Sequence, residues 1–543
     1  MAGLNFIRFL LVVSFLVAVT ADARAQVNSR GWKIWKTQWS ESDLNKYSEF
    51  VQALGESGCR SINSCLKNAA NPYRGTDRAN DSFRSDCADL PYTLMGYFAW
   101  KNGLPFVYSS AMKARGGSGD IRYSKDGNYV SARLDLTSAK LGDQPGVKIL
   151  NTLVDYVSTA MFRTGPDLDV VMTSDGRGVG PDFYPVAVSK GAIRPGTAFY
   201  DPSGHVAVVY KIGSDGRVYM MDAHPDQSIT RIMFGEKFSN SRASHGSGFK
   251  NFRPMKLVGA QKSADGSWVG GRMVSLANAE LADYSTEQYV NSNWKAKKWT
   301  QNGVLTDFYS YTRLKLAAGS LRFNPVEEMR SMMAGMCSDF QDRVISIQIA
   351  VQKGIDAQSN PERLPVNIYG TSGDWEEYST PSRDARLKTA AVELRTTMES
   401  LVGRFRANDP LVVYHGKDLK GDLLRTYREE SQKCSITYVN SRGGEVRLGY
   451  DHLMARLFKM SFDPYHCAEL RWGAAIGSQE FAGCRDSAWD LDWYKAEQRL
   501  RNQIERTYDA RMDFTLQGLR SRAPGSGQDE APDVDLKGYL ERM

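Results

Sequence analysis

Apolar positions divide the chain into a first half of short, alternating runs and a second half of long helical ones. Leu90, Leu94, Tyr97 and Phe98 recur at three- and four-residue spacing, which predicts a helix with one buried face. Pro91 fits its first turn, and Gly103-Leu104-Pro105 ends it. Residues 197–200 and 205–212 predict strands, and Gly213-Ser214-Asp215-Gly216 predicts a hairpin turn, because Asp-Gly readily adopts the positive backbone angles such turns require. Residues 217–224 are the return strand.

Flanking patterns complete the plan. Ser42 caps a short helix to residue 54, and another is expected over 147–162. Residues 248–254 close the first domain, and 262–271 read as a flexible linker. Beyond it Asn324-Pro325 opens a helix to 354, Thr380-Pro381 another to 407, and 418–431 and 486–519 supply two more. Residues 521–535, rich in Pro, Gly and acid, are expected to be a disordered tail. The expected organisation is therefore a signal peptide (1–25), a lead-in (26–70), a first domain (71–254) with an insertion (111–190), a linker (255–275), a helical domain (276–520) and a tail (521–543).

The signal assignment rests on Arg8, the apolar run 9–19 broken only by Ser14, and Ala23-Arg24-Ala25 before Gln26. No later stretch approaches the ~20 apolar residues of a membrane span, so no transmembrane segment is expected and the mature chain should be periplasmic or secreted. Its removal takes Arg8, Arg24 and Asp22, so net charge falls from +7 to +6. That mild excess suits an anionic cell-surface polymer, and no motif supports nucleic-acid binding.

Seven cysteines remain: Cys59, Cys65, Cys87, Cys337, Cys434, Cys467 and Cys484. Cysteines of exported chains tend to pair, so an odd count leaves one over. Cys59 with Cys65 and Cys467 with Cys484 are close enough to staple short loops, leaving Cys337 and Cys434 as a long-range pair, although the four C-terminal cysteines allow three pairings. On this reading Cys87 is left over, just before the predicted helix, where unpaired backbone N–H groups and the helix dipole favour a thiolate nucleophile. Zinc is the competing use of these cysteines, and no C-x-x-C pair encourages it.

A thiolate needs a base, and the hairpin provides candidates. A two-residue loop at Asp215-Gly216 would set Val209 opposite Asp222, Ala207 opposite His224 and His205 opposite Asp226. His205, Asp222 and His224 would then share one face, with an odd loop or a bulge reversing that parity. His205 is the candidate base or ion-pair partner of Cys87, with Asp222 or His224 to orient it. In the second half, the segment 370–378 with Asp374, Trp375, Glu376 and Glu377 reads as a recognition turn or an ordinary surface loop. His415, His452 and His466 read as structural.

These residues resemble the papain-fold bacterial cell-wall cysteine hydrolases of NlpC-like and CHAP-like type, over roughly residues 71–254. Asp86-Cys87-Ala88 and its helix look like the family's cysteine box. Pro195-Gly196 followed by Gly204-His205-Val206-Ala207-Val208-Val209 looks like its histidine strand, and Asp222 with His224 matches its next polar positions. Tyr73-Arg74-Gly75 is similar to a tyrosine-bearing segment that helps shape the site. Asp89 stands where a glycine is common, the spacing from Cys87 to His205 is long, and His224 stands where an amide is usual.

The resemblance implies an α+β papain-like (NlpC/CHAP-like) domain with an antiparallel sheet and a nucleophile helix, followed by a mainly α-helical domain. It implies hydrolysis of amide bonds in peptidoglycan peptides through a Cys-His acyl-enzyme. Catalytic Cys87, His205, Asp222 and His224 would work with Tyr73 and Asp86 at the substrate or oxyanion side, and the Cys87 N–H as oxyanion donor. No metal or organic cofactor is required. Alternatives are a papain-like protease or acyltransferase acting on protein, and a non-catalytic envelope protein. The helical domain is a candidate surface for an envelope protein partner.

Overall fold

The computed structural model describes residues 27–117, 119–134, 144–174, 176, 178–290, 299–301, 304–318, 321–370, 372–506 and 510–543. The expected signal peptide lies outside the described residues. At the centre is a six-stranded sheet: β1 (Phe183–Pro185), β2 (Ala198–Asp201), β3 (His205–Ile212), β4 (Val218–Ala223), β5 (Ile229–Met233) and β6 (Gly248–Phe252). Its spatial order is β1-β6-β2-β3-β4-β5, with every neighbouring pair antiparallel.

Alternation along β3 and β4 sends the two faces to different cores. Val206, Val208 and Met221 join the core around the Cys87 helix, Asp89–Asn102. Ala207, Val209 and Met220 join a second core with Phe238, Phe308 and Leu316 on the opposite face. The Cys87 helix is enclosed far beyond the single face expected of it, since thirteen of its fourteen residues are buried. Leu90, Leu94, Tyr97 and Phe98 are fully inside. At about 1.5–3 kcal/mol for each large apolar side chain buried, tertiary packing outweighs any propensity difference in holding this helix.

The enclosing layer comes from the lead-in, which belongs to the domain although the expected boundary excluded it. Trp32 stacks on Phe106, and the helix Glu41–Glu56 packs Tyr47 and Phe50 against Tyr97 and Phe98. The expected linker is also ordered. Met255–Lys262 and Trp268–Ser275 pair as a hairpin, because Asp265-Gly266 makes a turn in which the Asp265 carboxylate accepts from the Ser267 N–H at 3.0 Å. Part of the insertion is core as well, for β1 falls within 111–190, and the helix expected over 147–162 stops at Gly146–Leu153.

In the second half, helices Pro325–Gln352, Pro381–Arg406 and Leu419–Lys433 match the predicted spans closely. The run 486–519 is broken instead into Ala488–Ala496, Gln498–Asn502 and Leu516–Arg520. A hairpin, Ser435–Val439 with Glu445–Gly449, interrupts the helices. The tail expected to be disordered ends in the helix Leu536–Arg542, which Asp535 caps and whose Leu536 and Leu540 enter the core. Disulfides join Cys59–Cys65, Cys337–Cys434 and Cys467–Cys484, and Cys87 is free.

The halves are docked through buried charge. Arg217 meets Glu328 at 2.9 Å, Lys237 meets Asp339 at 2.9 Å, and Arg506 meets Asp201 at 2.8 Å. No helix of the described residues is long and apolar enough to cross a membrane.

Candidate functional site

Asp86 sets the geometry around Cys87. Its Oδ1 accepts from the N–H groups of Ala88 (2.8 Å) and Asp89 (3.1 Å), while Asp89 Oδ2 accepts from the Asp86 N–H at 3.1 Å. This reciprocal cap opens the helix and leaves Cys87 half-buried at its mouth. The Cys87 N–H has no partner among the described residues, so it remains available as an oxyanion donor.

The cap also overturns the expected thiolate environment. The amides that were to face the sulfur already serve Asp86, and the charge beside the thiol is negative. Burial first, then Asp86, with Asp89 and Asp222 adding, pushes the Cys87 thiol well above its ordinary value, against a hydrogen bond from the Val206 N–H. Burial and Asp86 likewise raise Asp89 to about 9. Asp86 therefore acts as a helix cap, and as an acceptor its carboxylate contributes nothing to an oxyanion hole.

The hairpin reaches the expected face by an unexpected register. Ile212 pairs with Val218, and the Gly213 N–H donates to Arg217 O at 2.8 Å to close a three-residue loop, in which Gly216 has φ +78° and its N–H donates to Gly213 O at 3.0 Å. A bulge between Val209 and Lys211 then shifts the ladder again, so Val209 pairs with Met220 and Val208 with Met221. Each departure alone reverses parity, and together they cancel. Continued to the strand ends, this register sets His205 beside His224, whose rings stack at 5.7 Å with planes 17° apart.

His205 Nε2 lies 2.6 Å from Asp222 Oδ2, and Asp222 Oδ1 accepts from the Thr230 hydroxyl. With Nε2 committed to Asp222, Nδ1 is the ring nitrogen left uncommitted. By alternation the His205 ring is on the sheet face away from the Cys87 helix. The two nevertheless line one cleft of about 160 Å³, because each sits at the extreme end of its element, where the sheet rim brings them together. Gly204 allows this approach: its φ is +82°, and a Cβ would lie 2.9 Å from the Tyr123 ring.

Asp222, not His224, holds the His205 ring. His224 is occupied by the Thr230 hydroxyl (3.0 Å) at Nε2 and by Arg383 Nε (3.2 Å) at Nδ1. Burial alone would raise the Asp222 carboxyl, yet His224, the His205 hydrogen bond and Arg386 outweigh it and hold it far below the usual carboxylate range. Burial and Arg386 lower His205, and burial and Arg383 lower His224 further. The resting pair is thus a neutral thiol beside a neutral imidazole. Tyr73 stands apart from this group. Its hydroxyl meets Asn102, at the far end of the Cys87 helix, and its ring packs with Phe50, Tyr97 and Phe98.

Sequence reasoning missed one wall entirely. The first turns of helix Pro381–Arg406 enter the cleft, with Arg383 ion-paired to Asp226 at 2.9 Å and Arg386 buried 3.9 Å from Asp222. Arginines at the positive end of a helix oppose its dipole, and that local conflict was the available signal. The insertion forms another wall through Arg122, Tyr123, Ser158 and Thr159. Arg122 reaches Glu376 of the helical half at 3.3 Å, while Trp375 is buried and donates to Ile368 O. A larger recess of about 720 Å³ between the halves, lined by Arg217, Lys237, Glu328 and Glu393, has neither cysteine nor histidine in its lining. Compared with known proteins, the chain has no matching family model, no matching curated protein and no matching solved structure.

Proposed function

We propose that the chain is an exported cysteine amidase or peptidase of papain-like, NlpC/CHAP-like type that hydrolyses peptide amides of peptidoglycan in the periplasm or outside the cell. One observation carries this reading: an unpaired Cys87 opens onto the same cleft as His205, whose Nε2 is held by Asp222. That combination is the minimal apparatus for acyl transfer through a thioester.

Because thiol and imidazole begin neutral, the proton moves as sulfur attacks. His205 Nδ1 takes the Cys87 proton, the C–S bond forms, and the carbonyl oxygen gains negative charge against the Cys87 N–H. The imidazolium then protonates the leaving amine as the C–N bond breaks. Water attacks the thioester, His205 takes its proton, and sulfur leaves and regains a proton. Arg386 and Arg383 give the cleft a basic wall that suits peptides carrying free carboxylates, as stem peptides do. The helical half supplies that wall and is the proposed selector of substrate or envelope partner.

The raised thiol favours the rival reading, a non-catalytic envelope protein whose groove binds ligand. Purified sacculi and defined muropeptides, followed by mass spectrometry, separate the two. The wild type is expected to release peptides, and Cys87→Ala, folded by circular dichroism, to release none. Cleavage of protein substrates but not sacculi marks a papain-like protease or acyltransferase. Inertness of the wild type toward both leaves the binding protein.

A further inference from the structure

A second constellation of ionisable groups lies in the helical half, outside the lining of the cleft onto which Cys87 opens. Asp463, His466 and Glu497 each present a ligand atom, and these atoms all lie within 4.8 Å of one another. All three residues are fully buried, with His466 Nε2 3.8 Å from Glu497 Oε2. Neither His466 Nε2 nor either Glu497 oxygen has a hydrogen-bond partner among the described residues. Buried polar atoms are nearly always satisfied, and a buried carboxylate with no donor carries the heaviest desolvation cost of all.

The surroundings look inward in the way a metal shell does. His466 Nδ1 lies 2.9 Å from Asp486 Oδ2, which fixes the ring's orientation and turns Nε2 toward Asp463 and Glu497. The other Asp486 oxygen accepts from the Cys467 N–H at 2.9 Å. Asn360 Nδ2 donates to Asp463 Oδ2 at 2.6 Å. The Cys467–Cys484 disulfide ties the loop that carries His466 to the loop that carries Asp486. Arg501, the nearest guanidinium to Glu497, stays 3.7 Å away, beyond hydrogen-bonding distance.

We infer that Asp463, His466 and Glu497 form a structural binding site for a divalent transition-metal ion, with zinc the ion best matched to one imidazole and two carboxylates. Zinc takes His nitrogen and carboxylate oxygen at about 2.0–2.2 Å, and three ligand atoms this close to one another admit one ion between them. The site pins the loop through Asp463 and His466 to the junction of helices Ala488–Ala496 and Gln498–Asn502, where Glu497 sits. That loop in turn braces the cleft wall, for Phe462 O accepts from the Thr380 N–H at 2.9 Å just ahead of helix Pro381–Arg406.

The test uses the full chain with its disulfides formed, in a Cys87→Ala background so that the thiol cannot capture metal. The protein is stripped with dipicolinate and titrated with Zn²⁺, reading bound metal by mass spectrometry after gel filtration and thermal stability by calorimetry. We expect one equivalent retained and a raised Tm. Glu497→Gln and Asp463→Asn, both checked for folding by circular dichroism, should each weaken zinc binding by more than the ~10–100-fold typical of losing an outer-shell partner. Cobalt in place of zinc should give a spectrum without thiolate bands. Failure to retain zinc, or retention undiminished in both variants, overturns the site. An unaltered Tm on adding Zn²⁺ does so too, and then the cluster is a buried imidazolium among carboxylates that share a proton.

Discussion

Two buried histidine–aspartate pairs, His205–Asp222 in the first half and His466–Asp486 in the second, differ in what surrounds them. Arg386 and Arg383 stand over the first, at the end of a sheet and beside a cleft. Asp463 and Glu497 surround the second, which is sealed from solvent. The shared chemistry therefore has opposite outcomes. Burial and Arg386 keep His205 neutral, while Asp463, Asp486 and Glu497 overcome burial and raise His466 to about 10. A histidine held by one carboxylate beside arginines is fit to accept a proton. The same residue amid three carboxylates is fit to hold a cation.

Breaking the first pair has the largest expected effect. Asp222→Ala frees the His205 ring and should lower kcat/KM on muropeptides by on the order of 10²–10⁴-fold, with the fold retained in circular dichroism. Its counterpart, Asp486→Asn, removes the carboxylate behind His466 and should weaken Zn²⁺ binding by about 10–100-fold in the stripped protein.

The arginine side of the comparison is read through pH. Burial would raise Asp226, but Arg383 and His224 outweigh it and lower the carboxyl to about 2. A depressed carboxyl contributes stability that is complete above its unfolded value near pH 4 and is lost as pH falls toward 2. This contribution is on the order of 2 kcal/mol. Arg383→Gln should remove it, so acid unfolding followed by fluorescence would shift to higher pH. The smallest effect is expected from Arg386→Leu. Without that charge His205 rises toward its ordinary value, and the acid limb of the pH–rate profile should move to higher pH. A downward move would show that Arg386 does not act on His205.

The candidate site residues were legible where local rules act alone. The odd cysteine count isolated Cys87, and the Asp-Gly turn located the hairpin that carries His205 and Asp222. The face they share was reached through two register shifts that cancel, which alternation in the sequence cannot reveal. Tyr73 was misplaced because a motif match says nothing of depth, and packing draws that ring into the aromatic cluster beyond the Cys87 helix. The thiolate expectation failed because Asp86 turns its side chain onto the amides that would have faced the sulfur. Arg383 and Arg386 come to the cleft from about 180 residues beyond His205, through docking of one half on the other, and no periodicity within either segment encodes that contact. The linker and tail were misjudged from composition, where Asp265-Gly266 and the cap at Asp535 order the chain.

The most direct test of the central claim is acid quenching of the wild-type protein during turnover of a muropeptide, followed by intact-mass analysis with hydroxylamine added in parallel. A catalytic Cys87 predicts a sulfur-linked acyl adduct on that residue, or its hydroxamate, with neither product in Cys87→Ala. Turnover that persists in Cys87→Ala, or that proceeds in the wild type with neither adduct nor hydroxamate, contradicts it.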